Sequence, residues 1–233
     1  MRTSGAHILA FDTSAAHCAA ALVWQGDRIR IRRTEAMAKG QAERLIPLLE
    51  EVLTEAGIGW RDLGALAVGI GPGNFTGVRI AVSAARGLAL GLGVPAVGVS
   101  SFEAMRAADA LGGHAHEIVS LPAPHDMAYV QHFRFGTPQA APRMIDPEAP
   151  PYDLELPVDM RVRGFRAAQI ARAFHAQADE TALDDIAARI GDVARWRLSL
   201  GEQPRRPAPL YVRPADAAPP SDHPPAILDA IAP

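Results

Sequence analysis

With a single cysteine, Cys18, the chain can close no internal disulfide, and nothing in its composition points to an oxidising compartment. No apolar run approaches the roughly 20 residues a helix needs to cross a bilayer. The short run Ile8-Leu9-Ala10-Phe11 stops at Asp12, too soon for the apolar core of a signal peptide. A cytoplasmic protein with no membrane role is therefore expected. Positive charge is not in excess: 23 Lys and Arg face 26 Asp and Glu, for a net charge of −3. A general basic face for gripping RNA unaided is thus disfavoured. No internal repeat stands out. What is present is ordinary for a globular protein: 233 residues, 48% hydrophobic and 21% charged, enough for one large or two small domains with a substantial core.

Hydrophobic patterning sets out an α/β order. Residues 8–11 read as a buried strand ending in the turn-forming Asp12-Thr13-Ser14. The apolar run 19–24 and the alternating Ile29-Arg30-Ile31-Arg32 follow after connections so short that the three strands must form an antiparallel meander. Residues 41–56 carry Leu45, Leu48, Leu49, Val52 and Leu53 at helical spacing, with Pro47 at the first turn or at a bend and Gly57 closing the helix. Residues 63–70 are apolar enough for a strand covered on both faces. A helix is predicted from Gly77 to about Leu92, and a buried strand over 94–99. Beyond Ser100 the pattern is weaker: strands near 118–121 and 127–133, helices over 165–178 and 182–198. From Pro204 onward nine prolines in thirty residues make the tail extended or partly disordered.

Between strand and helix lies Gly71-Pro72-Gly73-Asn74-Phe75-Thr76-Gly77, where backbone N–H groups and the helix dipole could hold an anion. No Gly-Lys-Ser/Thr follows it, so it is not a P-loop, and it lacks the spacing of a dinucleotide fingerprint. Spacing alone leaves a structural turn and a phosphate contact both open. Ser14, Ser83, Ser100 and Ser101 sit in no Gly-x-Ser-x-Gly elbow, and Cys18 lies in an apolar stretch that favours packing over reactivity. His114, His116 and His125 fall in loop-like sequence and read as solvated.

Four blocks taken in order closely resemble the TsaB family: residues 8–14, residues 42–49 (Ala-Glu-Arg-Leu-Ile-Pro-Leu-Leu), residues 71–79 and residues 87–90 (Gly-Leu-Ala-Leu). The tail Pro209-Leu210-Tyr211-Val212-Arg213-Pro214-Ala215-Asp216 is similar to that family's C-terminal signature. The likeness is strong over residues 8–105 and 209–216 and weak between. It implies an actin-like, RNase H-like fold of two lobes, each a mixed sheet flanked by helices: residues 1–105, residues 106–205, and a Pro-rich tail over 206–233. It also implies a non-catalytic subunit for making threonylcarbamoyladenosine on tRNA. Such a subunit binds the catalytic paralogue TsaD, works with the ATPase TsaE, meets tRNA only through the complex, uses no cofactor of its own, and can pair with itself.

The non-catalytic expectation rests on a substitution. Where the catalytic paralogue carries Asn-His-Leu-Glu-Gly-His, with two metal-binding histidines four apart on one helical face, this chain has Ser100-Ser101-Phe102-Glu103-Ala104-Met105. Ser101 and Met105 replace the ligands, and no catalytic or metal-binding residue is assigned. By the same resemblance Asp12, Thr13, Ser14, Gly71, Gly73, Asn74, Thr76 and Gly77 make a vestigial nucleotide loop. Asp12 either keeps a metal–nucleotide contact or caps its own turn. Where relatives often have an Asp-Ala-Arg-like stretch, Leu121-Pro122-Ala123-Pro124-His125 stands instead. The partner face is expected at Glu43, Leu45, Leu49, Leu53, Arg79, Ser83, Arg86 and Leu90, so that a charge at Leu49 or Leu53 would break the heterodimer. The alternatives are an active actin-like ATPase or kinase, which needs a second phosphate loop, and a peptidase, for which no constellation can be assembled.

Overall fold

A computed structural model describes residues 7–24, 29–106, 114–154 and 159–212. Its first sheet begins with the expected meander, β1 (His7–Asp12), β2 (His17–Trp24) and β3 (Ile29–Ala36), antiparallel in sequence. The turn expected at residues 25–27 lies outside the described residues. β4 (Leu63–Gly69) then adds parallel to β1, and β5 (Ala96–Val99) parallel to β4, giving the order β3-β2-β1-β4-β5. The helices α1 (Gln41–Glu55) and α2 (Phe75–Leu92) cover one face. β4 is apolar along its length because it is buried on both sides.

α1 carries Pro47 in its interior, beyond the first turn. The carbonyl four residues back belongs to Glu43, and both residues are exposed, so water can satisfy what the proline cannot. α2 starts at the N-cap Asn74, whose side chain accepts from Gly77 N–H. It is long and apolar enough to cross a membrane by length and composition, yet five of its residues are buried against the chain's own sheet.

The second sheet has β6 (His116–Pro122), β7 (Ala128–Arg134), β8 (Thr137–Pro138), β9 (Arg143–Ile145), β10 (Met160–Gly164) and β11 (Gln177–Asp179). β7 runs antiparallel to β6, and β10 lies parallel to it on the other side. β1, β2 and β4 have the same relation in the first sheet, so a repeat exists in topology though none is visible in sequence. Two mixed sheets flanked by helices make this an actin-like fold.

Three expectations need adjustment. The helix over 165–178 is only α4 (Ala167–Ala173): the chain breaks at His175, with φ 52, and continues into the edge strand β11. The last helix, α5 (Ile186–Ser199), starts four residues late. α5 also does not sit with the second sheet; it covers the free face of the first, packing Ile186, Ile190 and Val193 against Ile8, Ala10 and Val23. A division into 1–105 and 106–205 therefore cuts across the first lobe's core. Of the tail, residues 207–212 pack back on the body, with Leu210 N–H bonded to Ile70 O at 2.8 Å; residues 213–233 lie outside the described residues.

Candidate interlobe cleft and docking face

Between the sheets lies a cleft of about 730 Å³, walled by the turn after β1, the Gly71–Gly73 loop and α3 (Ser101–Arg106) from the first half, and by residues 121–122, 164–169 and 180–186 from the second. Asp12 ends β1 and is fully buried. Its Oδ1 accepts from Ser14 N–H at 2.9 Å and Ser14 Oγ–H at 2.8 Å, and meets His17 Nε2 at 2.7 Å. Asp12 thus caps its own turn. The Ser14 hydroxyl points at this carboxylate and not at His17, so the three groups do not form a nucleophile–base–carboxylate relay.

The glycine loop is clasped onto that turn. Thr13 Oγ1 donates to Gly77 O at 2.7 Å, and Asn74 N–H donates to Ser14 O at 2.6 Å. A Cβ at Gly73 would stand 2.3 Å from Ser14 O, and one at Gly77 1.9 Å from Thr13 O. Glycine is required here because two backbones touch. The N–H groups of Asn74, Gly77 and Val78 are all bonded within the chain. Opposite, the β6–β7 turn contains Pro122 and Pro124, which have no N–H, while Ala123 N–H donates to Met127 O and Met127 N–H to Pro124 O. Glu180 reaches the start of α4, its carboxylate 3.3 Å from Ala168 N. Three of the glycine loop's N–H groups are thus spent inside the chain, and the opposite turn offers few.

The residues expected to form a nucleotide loop are brought together, but they face two ways. Ser14 and Gly73 line the cleft, whereas Asn74, Thr76 and Gly77 line a separate hollow of about 370 Å³ beside the start of α1. Gly71 O accepts from Ser101 N–H. Ser101 Oγ donates to Pro72 O at 3.4 Å, and Met105 packs with Phe102 and Phe133. Among the described residues no group of three or more His, Cys, Asp and Glu could hold a metal. His116 is not in a loop: it lies on β6, its ring stacked on His132 of β7 at 5.5 Å. Burial, then the neighbouring His116, holds the His132 pKa below its ordinary value. Burial pushes the Cys18 thiol up to about 11, which fits a packing role.

The expected docking residues divide. Leu45, Leu49 and Leu53 are buried beneath α1 against the first sheet, so they cannot meet a partner. That part of the expectation is corrected: helical periodicity finds the apolar stripe, and this stripe is consumed by the chain's own β2 and β3. Glu43, Arg79, Ser83 and Leu90 are exposed, Leu90 by 86%, and Arg86 is half-buried with its Nε donating to Pro207 O at 2.6 Å. The expected docking set left out Ile46, 38% exposed on α1, and Gly87, around which an added Cβ would meet nothing within 4 Å. Gly87 had a signal: an exposed glycine inside a helix costs about 1 kcal/mol relative to alanine, so it asks for a reason. His17 had none beyond its nearness to Asp12.

The family model described as TsaD, tRNA N6-adenosine threonylcarbamoyltransferase, matches residues 34–147. The tRNA threonylcarbamoyladenosine biosynthesis protein TsaB of Haemophilus influenzae is 39% identical over 98 residues, 42% of this chain and 41% of that protein. The Escherichia coli protein of the same name is 41% identical over 98 residues, 42% of each chain. The matched stretch thus spans about two-fifths of these curated relatives. A crystal structure from Pseudomonas aeruginosa, described by its similarity to the peptidase YeaZ, is 27% identical, with a TM-score of 0.67 over 89% of this chain and 100% of that one.

Proposed function

This chain belongs to the TsaB family, and on that premise we propose that it is a non-catalytic subunit in the making of threonylcarbamoyladenosine on tRNA. It binds and activates a TsaD-like transferase, in concert with a TsaE-like ATPase, in the cytoplasm. tRNA is met through the complex, and a homodimer forms on the same face when the transferase is absent. The observation that carries the non-catalytic reading is the clasp between the turn after β1 and the glycine loop. With Asp12 capping Ser14 and the N–H groups of Asn74, Gly77 and Val78 bonded internally, a triphosphate that used those donors would first have to break those bonds. The same geometry weighs against the ATPase and peptidase alternatives.

Docking is assigned to the exposed side of α2, with Arg79, Ser83, Gly87 and Leu90 along it and Ile46 of α1 beside it. Small residues there let a second helix approach closely, and an exposed leucine supplies apolar area to bury. The test is reconstitution from this chain, the transferase, the ATPase, ATP, threonine, bicarbonate and tRNA, omitting each protein in turn. Modification should stop without this chain, and the chain alone should hydrolyse no ATP. Gly87→Arg should fold normally and fail to support modification. Modification without the chain, or steady ATP turnover by it alone, overturns the proposal in favour of an actin-like ATPase.

A further inference from the structure

The C-terminal strap crosses the docking face at the two places where that face carries positive charge. Arg86 Nε donates to Pro207 O at 2.6 Å. Arg79 Nε donates to Tyr211 Oη at 2.9 Å, across 132 residues of sequence. The Arg79 guanidinium lies 3.7 Å above the centre of the Phe75 ring, and the Phe75 and Tyr211 rings are 5.0 Å apart, tilted by 31°. Tyr211 is nevertheless 45% exposed. Between these points Leu210 N–H is tied to Ile70 O, and Leu210 and Val212 pack on the cluster containing Phe102, Val119 and Phe133. One short extended segment thus touches α2, the end of β4 and the second lobe.

A long exposed arginine samples many rotamers when free, and losing them on association weakens binding. Here the loss is taken in advance. Stacking on Phe75 and the bond to Tyr211 fix the planar fork, while only Nε is used by that bond, leaving the terminal N–H groups for an oxygen across an interface. We infer that residues 207–212 are a built part of the docking face for the TsaD-family transferase, with Tyr211 as the positioning residue that presents Arg79 to it. The inference rests on the docking reading above. The choice of occupant follows from the match to the transferase's own family model over residues 34–147, which span α1 and α2: the partner carries a related helix pair to set against this one.

The experiment is titration calorimetry of the full chain with the transferase, using wild type, Tyr211→Ala, Tyr211→Phe, Arg79→Ala and the Tyr211→Ala/Arg79→Ala pair, with melting curves alongside. Tyr211→Ala and Arg79→Ala should each weaken binding on the order of ten-fold, and the double variant no further than either, since both remove one device. Tyr211→Phe keeps the ring and should fall between wild type and Tyr211→Ala; it serves if the alanine variant does not fold. Variants of Tyr211 that fold and bind as tightly as wild type overturn the strap's role alone. A wild-type chain that does not bind the transferase overturns the docking reading and this inference together, and the first titration tells the two failures apart.

Discussion

The first sheet is sandwiched: α1 and α2 bury Leu45, Leu49, Val52 and Val82 on one face, and α5 buries Ile186 and Ile190 on the other. The second sheet has an apolar layer of that kind only beneath α4, where Ile118, Val130, Val162 and Ile170 meet. Its other face is half apolar and half ionic. Val119, Leu121 and Phe133 pack with Phe102 of α3, but on the same strands the fully buried Glu117, paired in register with Phe133, receives Arg106, Arg161 and Arg163. Arg163 also holds Asp179 of β11 at 2.8 Å, through Nε. Two sheets of the same topology are therefore held by different physics: one by area removed from water, the other in part by a buried carboxylate whose desolvation is offset by several guanidinium groups.

The difference can be broken most sharply at Glu117. Glu117→Gln leaves three arginines around a neutral amide and should cost about 3–5 kcal/mol, the usual penalty for removing one partner of a buried ionic group. Denaturant unfolding followed by probes in each lobe should show the second lobe's midpoint falling far more than the first's. Equal falls would mean that the lobes unfold as one unit. On the apolar side, Leu49→Ala should cost about 3 kcal/mol through lost burial and the cavity left behind, in the first lobe. Because Leu49 is core, the variant that folds should bind the proposed transferase partner as the wild type does; binding lost only in a folded Leu49→Ala protein would restore it to the interface.

The smallest effect sharpens the electrostatic half. His132 has its pKa lowered by burial and by His116, so below pH 6.5 the unfolded chain takes up a proton more readily than the folded one. Stability in the second lobe should therefore fall modestly as pH drops from about 7.5 to 5.5. His132→Gln should flatten that dependence. A second-lobe melting temperature that is unchanged over this range would refute the assignment.

Much of the first lobe is legible in its residues because its stabilising force is periodic. Leucines at 45, 48, 49 and 53 announce α1, and the unbroken apolar run of β4 announces burial on both faces. The short connection between β1 and β2 announces the meander. The second lobe is harder to read because Arg106, Glu117, Arg161, Arg163 and Asp179 look like surface residues until the strands align them. The same holds at the candidate site. The glycine loop stands out by composition, but its clasp on Thr13 and Ser14 needs two segments more than fifty residues apart to meet.

What the chain's own order of residues determined was the set of elements, the topology of the first meander, the loop between β4 and α2, and the family likeness. Local propensity, periodicity and turn chemistry act over a few residues and can be read from one string. Tertiary structure alone decided which apolar stripe is core and which face is open. It placed α5 on the first sheet although α5 follows the second, consumed Leu49 inside while leaving Leu90 outside, and set Tyr211 against Arg79. Periodicity records that a face is apolar; only the folded chain records what covers it, because burial is a property of the neighbour as much as of the residue.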